Sequence, residues 1–400
     1  MEKFQEILKK KPHSPRSMFM IGLCLDRLAF YEKSNALLDE SITIMTKAVT
    51  LGPYVPDELA RRILRTLYDK MKFRGHIFKG IPILLKAVER FPNEREWRHY
   101  LIVAYLTLGR NDDARLILQE SLRTWPDDGF AKVHYGFLLK LVDKNYKAAA
   151  RYMQDGIDTR DPGTLDGRFF YHLGDAYMRL GNAEKEAAIY KQGKKEGLFL
   201  SEMQRSLHNV DRLTGRPWWT KEQTGYKQDL DKMSAEWRII RKEGLNALAL
   251  KKNGFKDESE TLKDKGDWKE FMLWARGKKV EENCKKAPLT CGMVEKFKAA
   301  SSCKQGQVKF SVMKPGTHVW AHTGPTNARI RAHLGLAGVP GAKIRVGNET
   351  REWIEGDFIV FDDSFEHEVW HEGEKTRLVL IVDMWHPELT DDEKANLSPI

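Results

Sequence analysis

Several features are scarce in this 400-residue chain. No stretch approaches the ~20 consecutive apolar residues of a membrane span, and the N-terminus lacks the apolar core of a secretory signal. As written, the chain reads as soluble and without an anchor. No long block of basic residues appears either. The 67 Lys and Arg against 57 Asp and Glu leave a net charge of +10 spread along the sequence. That pattern lacks the concentrated footprint of a nucleic-acid binder and reads as a solvated basic surface. Cysteine is limited to Cys24, Cys284, Cys291 and Cys303. Cys284 and Cys291 flank the short loop CKKAPLTC. Two cysteines make a poor zinc site, which normally takes four ligands. They suit a small disulfide loop in an oxidising compartment and free thiols in a reducing one.

What is present can build full cores: 41% of residues are hydrophobic and 10% aromatic, which excludes a disordered chain. The first half repeats itself. Pro92 and Pro126 are 34 residues apart, and Pro162 follows 36 later. Leu101, Tyr105, Ala114 and Leu118 recur between them at helical spacing. The copy FFYHLGDAYMRLGNAEKEAAIYKQG carries Leu173, Gly174, Tyr177, Ala187 and Tyr190, and resembles the tetratricopeptide repeat, a helix–turn–helix of about 34 residues. Gly136 and Gly174 would let two helices approach closely, and Gly181 would sit in an inter-helix turn. Residues 15–90 read as further paired amphipathic helices. Such a solenoid either binds peptides on its concave face or positions another domain.

Near residue 205 the texture changes. PWWTKEQTGY (217–226) ends the repeats, a charged helical segment follows, and NGFKDESETLKDKGDW (253–268) reads as a surface loop. From about 306 the period becomes two. VKFSVM, HVWAH, ARIRAHLGL, KIRV, DFIVF, EHEVW and TRLVLIVDMW are strand candidates, separated by PG, GPTN, VPG, GNET, EGD and EGEK turns. Seven strands at this spacing suggest an antiparallel barrel or a double-sheet jelly roll. The predicted organisation is thus a multidomain α + β protein. An all-α tetratricopeptide-like solenoid spans 1–205. A second domain spans 206–400, with a helical lead-in at 206–305 and a jelly-roll core at about 306–386.

Alternate residues of a strand share a face. His318, Trp320 and His322 should therefore point one way. Arg329, Arg331 and His333 should share a face of the next strand, with Ile330, Ala332 and Leu334 on the other. A cationic interior of this kind needs an anion or a metal to be tolerated. His367 follows in the next polar stretch, with Arg377 ten residues beyond it. A strand histidine, a distant histidine and an arginine about ten residues later resemble the iron(II), 2-oxoglutarate oxygenases. There imidazoles bind iron and an arginine forks onto the far carboxylate of the cosubstrate. Most of those enzymes add Asp or Glu two residues after the first histidine. Here that position is Gly324, so a halogenase, with halide in the vacated place, is an alternative, as is a silent repeat adaptor. His318, His371 and His386 read as structural.

HVWAHTGPTN, RIRAHLGL, FIVFDDSFEHEVW and DMWHPELT resemble the aspartyl/asparaginyl β-hydroxylase family. The likeness runs through nearly the whole chain, and that family also pairs tetratricopeptide-like repeats with a jelly-roll oxygenase domain. The resemblance implies two-histidine iron binding by His322 and His367. It implies a 2-oxoglutarate site of Trp268, Ser311, Arg331, His333 and Arg377. Lys309 and Arg329 would face an acidic substrate side chain, and Asp363 would act behind the metal or on the substrate side. It further implies a Cys284–Cys291 disulfide, with iron(II), 2-oxoglutarate and dioxygen as cofactors. The implied reaction is β-hydroxylation of Asp or Asn in epidermal-growth-factor-like domains, in the lumen of the endoplasmic reticulum.

Overall fold

The computed structural model describes residues 1–250, 254–258 and 261–400. The chain divides into two compact units, Met1–Leu165 and Asp166–Ile400. This division lies ahead of the change in texture at residue 205. The helix pair with the clearest repeat motif, Gly167–Arg179 and Ala183–Lys195, belongs to the second unit.

The first unit is a run of antiparallel helices. Pro15–Tyr31 opens with Pro at its first position, and the Ser14 side chain accepts from the Ser17 N–H, which satisfies one of the donors that a helix start leaves orphaned. Asp128 caps Gly129–Leu141 in the same way. Pro92 and Pro126 fall in the turns after Ile77–Arg90 and Asn111–Thr124, where a missing N–H costs nothing. Leu101, Tyr105, Ala114 and Leu118 are all buried, beside Trp97, Ile63 and Leu67. Gly136 has the close contact its residue type suggested: a Cβ there would lie 2.7 Å from Met153 Cγ and 2.8 Å from the carbonyl oxygen of Ala149.

The second unit begins with the last repeat pair. Gly174 packs against the ring of Tyr190, where a Cβ would stand 2.2 Å from the ring, and Gly181 turns the chain at φ +71°. The strands that follow are β1 (Trp218–Trp219), β2 (Lys256–Asp257), β3 (Lys263–Lys265), β4 (Trp268–Ala275), β5 (Lys278–Lys279), β6 (Gln307–Met313), β7 (Thr317–His322), β8 (Arg329–Ala337), β9 (Ala342–Val346), β10 (Glu349–Glu352), β11 (Phe358–Phe361), β12 (His367–His371) and β13 (Arg377–Trp385). They form two antiparallel sheets. The larger has the order β1-β11-β8-β13-β6-β4-β2, with β5 also on β4; the smaller is β10-β9-β12-β7-β3. This is the double-sheet arrangement that the strand spacing predicted.

Three expectations need correction. The stretch 253–268 is not simply a surface loop: β2 and β3 lie in it, though residues 253, 259 and 260 are outside the described residues. The lead-in 206–305 is not purely helical, because β4 is a full strand of the larger sheet. In Trp268-Lys-Glu-Phe-Met-Leu-Trp only Glu270 and Phe271 mark a polar and an apolar face clearly, and the register shifts between Met272 and Trp274, so the alternation gives a weak signal. The GNET turn also starts a strand, since Glu349–Glu352 pairs with β9.

The outer face of the larger sheet carries Phe271, Leu273, Val308, Phe310, Ile330, Ala332, Leu334, Leu378, Leu380 and Val382. These pack on Leu230 and Met233 of helix Lys227–Ala235 and on Ile240 and Ala247 of helix Trp237–Ala249. A second apolar layer lies between the sheets: Val319, Ile344 and Val369 from one, Met313, Val379 and Ile381 from the other. Each such fully buried side chain contributes roughly 1.5–3 kcal/mol. Polar residues on the inner face of the larger sheet are therefore confined to one end of a partly filled sandwich.

Cys284 and Cys291 form a disulfide between the short helices Glu281–Cys284 and Pro288–Lys296. Reduction should add two hydrogens to the intact mass, and the closed loop should contribute about 2.5 kcal/mol. Thiols that alkylate without reductant would refute the bond. Gly174→Ala should lower the unfolding temperature, at a cost of roughly 1–3 kcal/mol for overpacking against Tyr190, instead of giving the usual helix gain of about 0.5–1 kcal/mol.

Candidate active site

Four adjacent strands of the larger sheet carry the polar side chains. On β8, Arg329, Arg331 and His333 point inward while Ile330, Ala332 and Leu334 join the helix-side core, as their alternation predicted. On β13, Arg377 and Asp383 share the inward parity with Val379 and Ile381. Lys309 and Ser311 of β6 and Trp268 and Glu270 of β4 complete the row.

His322 and His367 come from the smaller sheet, directly opposite one another in the β7–β12 pairing. That pairing is irregular. His322 opposes His367, but Val319 opposes Val369, so three residues of β7 span two of β12. The extra residue is a bulge, which reverses the side-chain parity. His322 and Val319 face inward, while His318 and Trp320 pack against each other elsewhere. The expectation that His318, Trp320 and His322 share a face is thus corrected, as is the expectation that the two polar stripes lie on neighbouring strands: β7 and β8 belong to different sheets. His318 is held at 2.9 Å by both Asp264 and Glu368. His371 donates to the carbonyl of Lys375 and His386 to that of Thr214.

The two inward histidines are set alike. Nδ1 of His322 donates to the carbonyl of Trp320 at 2.7 Å, and Nδ1 of His367 to that of Phe365 at 2.9 Å. A carbonyl only accepts, so Nδ1 carries a proton in each ring. The ring centroids are 4.1 Å apart. Burial, then the neighbouring His322, pushes His367 well below the ordinary imidazole range, so it is a neutral donor. Two facing imidazoles, each oriented by a backbone carbonyl on Nδ1, suit a divalent metal. Among the described residues no cluster of three His, Cys, Asp or Glu is placed to hold one.

Gly324 shows why. A Cβ at this position would lie 2.5 Å from Oδ2 of Asp363, and the Gly324 N–H donates to the Asp363 carbonyl. The space for a side chain at 324 is filled by the carboxylate of Asp363. That carboxylate is held by Arg329 through Nη2–Oδ2 at 2.6 Å and Nε–Oδ1 at 3.2 Å, and by Arg331 at 3.1 Å. Burial opposes its charge, but the two guanidiniums outweigh burial and keep its pKa below the usual carboxylate range.

The other end of the cavity holds a buried cation without a carboxylate partner among the described residues. Arg377 is 2% exposed, its Nη2 donates to Ser311 Oγ at 3.1 Å, and its Nε has no partner. No carboxylate lies within ion-pair distance of it among the described residues, and burial pulls it down to about 9. Ser311 Oγ also accepts from Trp268 Nε1 at 3.0 Å, which leaves its own proton to donate. Both ring nitrogens of His333 are buried without partners, and burial, then Arg331, holds this imidazole neutral. Each unmade buried hydrogen bond costs about 1–3 kcal/mol, so a carboxylate here would satisfy several groups at once.

The remaining cations are already matched. Lys309 pairs with Glu270, Arg329 with Asp363, and Arg331 with Asp383 at 2.7 Å. The expectation of a broadly cationic interior is corrected: the uncompensated charge is Arg377. All ten residues singled out from the sequence, Trp268, Lys309, Ser311, His322, Arg329, Arg331, His333, Asp363, His367 and Arg377, line this one cavity. Glu270 and Asp383 were missed. Asp383 was detectable as the one acidic residue in an apolar strand, in step with Arg377; Glu270 was hidden because β4 itself was not recognised.

A family model described as aspartyl/asparaginyl beta-hydroxylase matches residues 234–387, and a tetratricopeptide-repeat model matches 79–129. The chain is 46% identical to the aspartyl/asparaginyl beta-hydroxylase of Mus musculus and 45% identical to that of Homo sapiens, over 99% of its own length. It spans about half the length of these curated relatives, 53% and 52% respectively. Aspartate beta-hydroxylase domain-containing protein 2 of Homo sapiens is 40% identical over 33% of this chain and 37% of that protein. The chain is therefore similar to the aspartyl/asparaginyl beta-hydroxylase family, whose model spans the residues that line this cavity.

Proposed function

We propose that this protein hydroxylates the β-carbon of Asp or Asn in epidermal-growth-factor-like domains, using iron(II), 2-oxoglutarate and dioxygen. The observation that carries this reading is the pairing, in one cavity, of two imidazoles each held through Nδ1 by a backbone carbonyl with a buried Arg377 that has no carboxylate partner among the described residues. When bound, the metal and cosubstrate supply the oxidising chemistry that side chains lack. His322 and His367 would hold the metal. Arg377 and the Ser311 hydroxyl would bind the far carboxylate of the cosubstrate, with Trp268 fixing Ser311. His333, neutral and unpartnered, would hydrogen-bond its other end beside Arg331. Asp363, locked by Arg329 and Arg331, would accept hydrogen bonds from the space beside Gly324 that its carboxylate fills. Lys309 and Arg329 would face the substrate side chain.

The alternatives fare worse. A halogenase needs an anion where Gly324 omits a side chain, and the carboxylate of Asp363 already fills that space. A silent adaptor gains nothing from burying Arg377 without a counter-charge, which weakens the fold. The Cys284–Cys291 disulfide fits an oxidising compartment, and the lumen of the endoplasmic reticulum is part of the proposal. No helix among the described residues is long and apolar enough to cross a membrane. The repeats would orient the substrate protein.

Incubation with iron(II), 2-oxoglutarate, oxygen and an epidermal-growth-factor-like peptide should add one oxygen to an Asp or Asn by mass spectrometry, and a chelator should abolish the gain. Arg377→Ala should bind 2-oxoglutarate at least ~30-fold more weakly, the equivalent of about 2 kcal/mol for a buried charged contact. Binding of metal and cosubstrate without a product would send the search to other substrates; binding of neither would refute the oxygenase.

A further inference from the structure

Glu270 has no role so far, yet it lines the same cavity as the two histidines. It lies on β4 opposite Ser311, while Lys309 on β6 lies opposite Met272. The two charged side chains are thus diagonal neighbours on the inward face, and Lys309 Nζ donates to Glu270 Oε1. Their side chains are 5% and 16% exposed, so solvent screens the pair weakly. Away from Arg377, Lys309, Arg329 and Arg331 stand against Glu270, Asp363 and Asp383. Three cations meet three carboxylates, so this end of the cavity offers no spare positive charge.

A carboxylate entering here would have to displace Glu270 from Lys309 or remain beside it unpaired, and either is unfavourable in a desolvated site. A carboxamide has the complementary groups. Its oxygen can accept from Lys309 and its N–H can donate to Glu270, so the pair reads donor and acceptor together. A site built to hydrogen-bond a particular polar group rejects the analogue that leaves its own groups unmatched. Resting on the hydroxylase reading above, we infer that Glu270 is a specificity-determining residue that makes this site select asparagine over aspartate.

The test uses two epidermal-growth-factor-like peptides that differ only in Asn or Asp at the target position, offered together to the full chain. The wild type should hydroxylate the Asn peptide with at least ~10-fold higher kcat/KM, a discrimination of the kind seen when a buried polar group is left unmatched. Glu270→Gln, which frees Lys309 for a carboxylate, should shift that ratio toward Asp by at least ~10-fold, with the KM for 2-oxoglutarate little changed. Calorimetric binding of the same peptides to protein loaded with zinc(II) and 2-oxoglutarate should show the same reversal without turnover. An Asn-to-Asp ratio that is equal in wild type and Glu270→Gln, in turnover and in binding, overturns the inference but leaves the hydroxylase reading intact. If Glu270→Gln does not fold, the wild-type ratio decides, and equal use of the two peptides overturns it. Hydroxylation of neither peptide, with neither bound, defeats both readings.

Discussion

A charge removed from water must meet an opposite charge, and this requirement organises the interior of the second unit. Asp363 and Asp383 are fully buried, and Lys309, Arg329 and Arg377 nearly so. Any of these alone would be intolerable in a protein core. They persist because the strand order β8-β13-β6-β4 brings opposite charges into reach: Arg331 lies directly across from Asp383 in the β8–β13 register, and Lys309 meets Glu270 across β6 and β4. Once those pairs are drawn, Arg377 stands apart, with burial lowering its pKa and no carboxylate to restore it. The imbalance is local and has one sign. A structural network would be expected to close, and at Arg377, which lies over the ring of Trp353 with no carboxylate beside it, this one does not.

The alternation of β8 could be read from the sequence because the strand is buried on both sides yet polar on one. Arg329, Arg331 and His333 against Ile330, Ala332 and Leu334 admit one register only, since a slip by one residue would drive three charged or polar groups into the helix-side core. Glycines were readable for a similar reason: Gly174 and Gly136 stand where a Cβ would collide with the facing helix. The bulge in β7 was not readable. Its effect depends on which residue of β12 lies opposite, and β12 is about fifty residues away in sequence, so local period cannot reveal it. Without it, His318 takes the place of a site residue; with it, His318 becomes part of an ion-pair group with Asp264 and Glu368. Glu270 escaped for a related reason: a carboxylate's importance lies in the cation it meets on another strand.

The division of the chain follows the same logic. The last repeat pair carries the most regular repeat motif, yet it clusters with the sheets. Arg205, 2% exposed, lies 3.8 Å over the ring of Tyr190 and bonds Glu366 at 2.7 Å. Glu366 immediately precedes His367 and also bonds Arg345. Burial, then Glu366, raises nearby Glu186 to about 7. A helical hairpin whose sequence is that of a repeat is thus tied, by buried charge, to the strand that carries His367. Repeat motifs report helix-pair packing and are silent about which neighbour completes the core.

The larger sheet inverts the common pattern of a sandwich. Its outer face is the continuous apolar one, covered by helices Lys227–Ala235 and Trp237–Ala249, and its inner face is polar toward one end. Helices on the outside are therefore a condition for a polar inside. With the outer face uncovered, Phe310, Leu334 and Leu380 would meet water, and the strands would lose the burial that offsets the cost of placing Lys309, Arg329 and Arg377 on the opposite face. The disulfide-linked helices around Cys284 and Cys291 contribute to that cover. The span recognised by the family model, residues 234–387, begins within this helical cover, ahead of the first long strand. The shared unit is accordingly the sheet together with the helices that allow its other face to be charged.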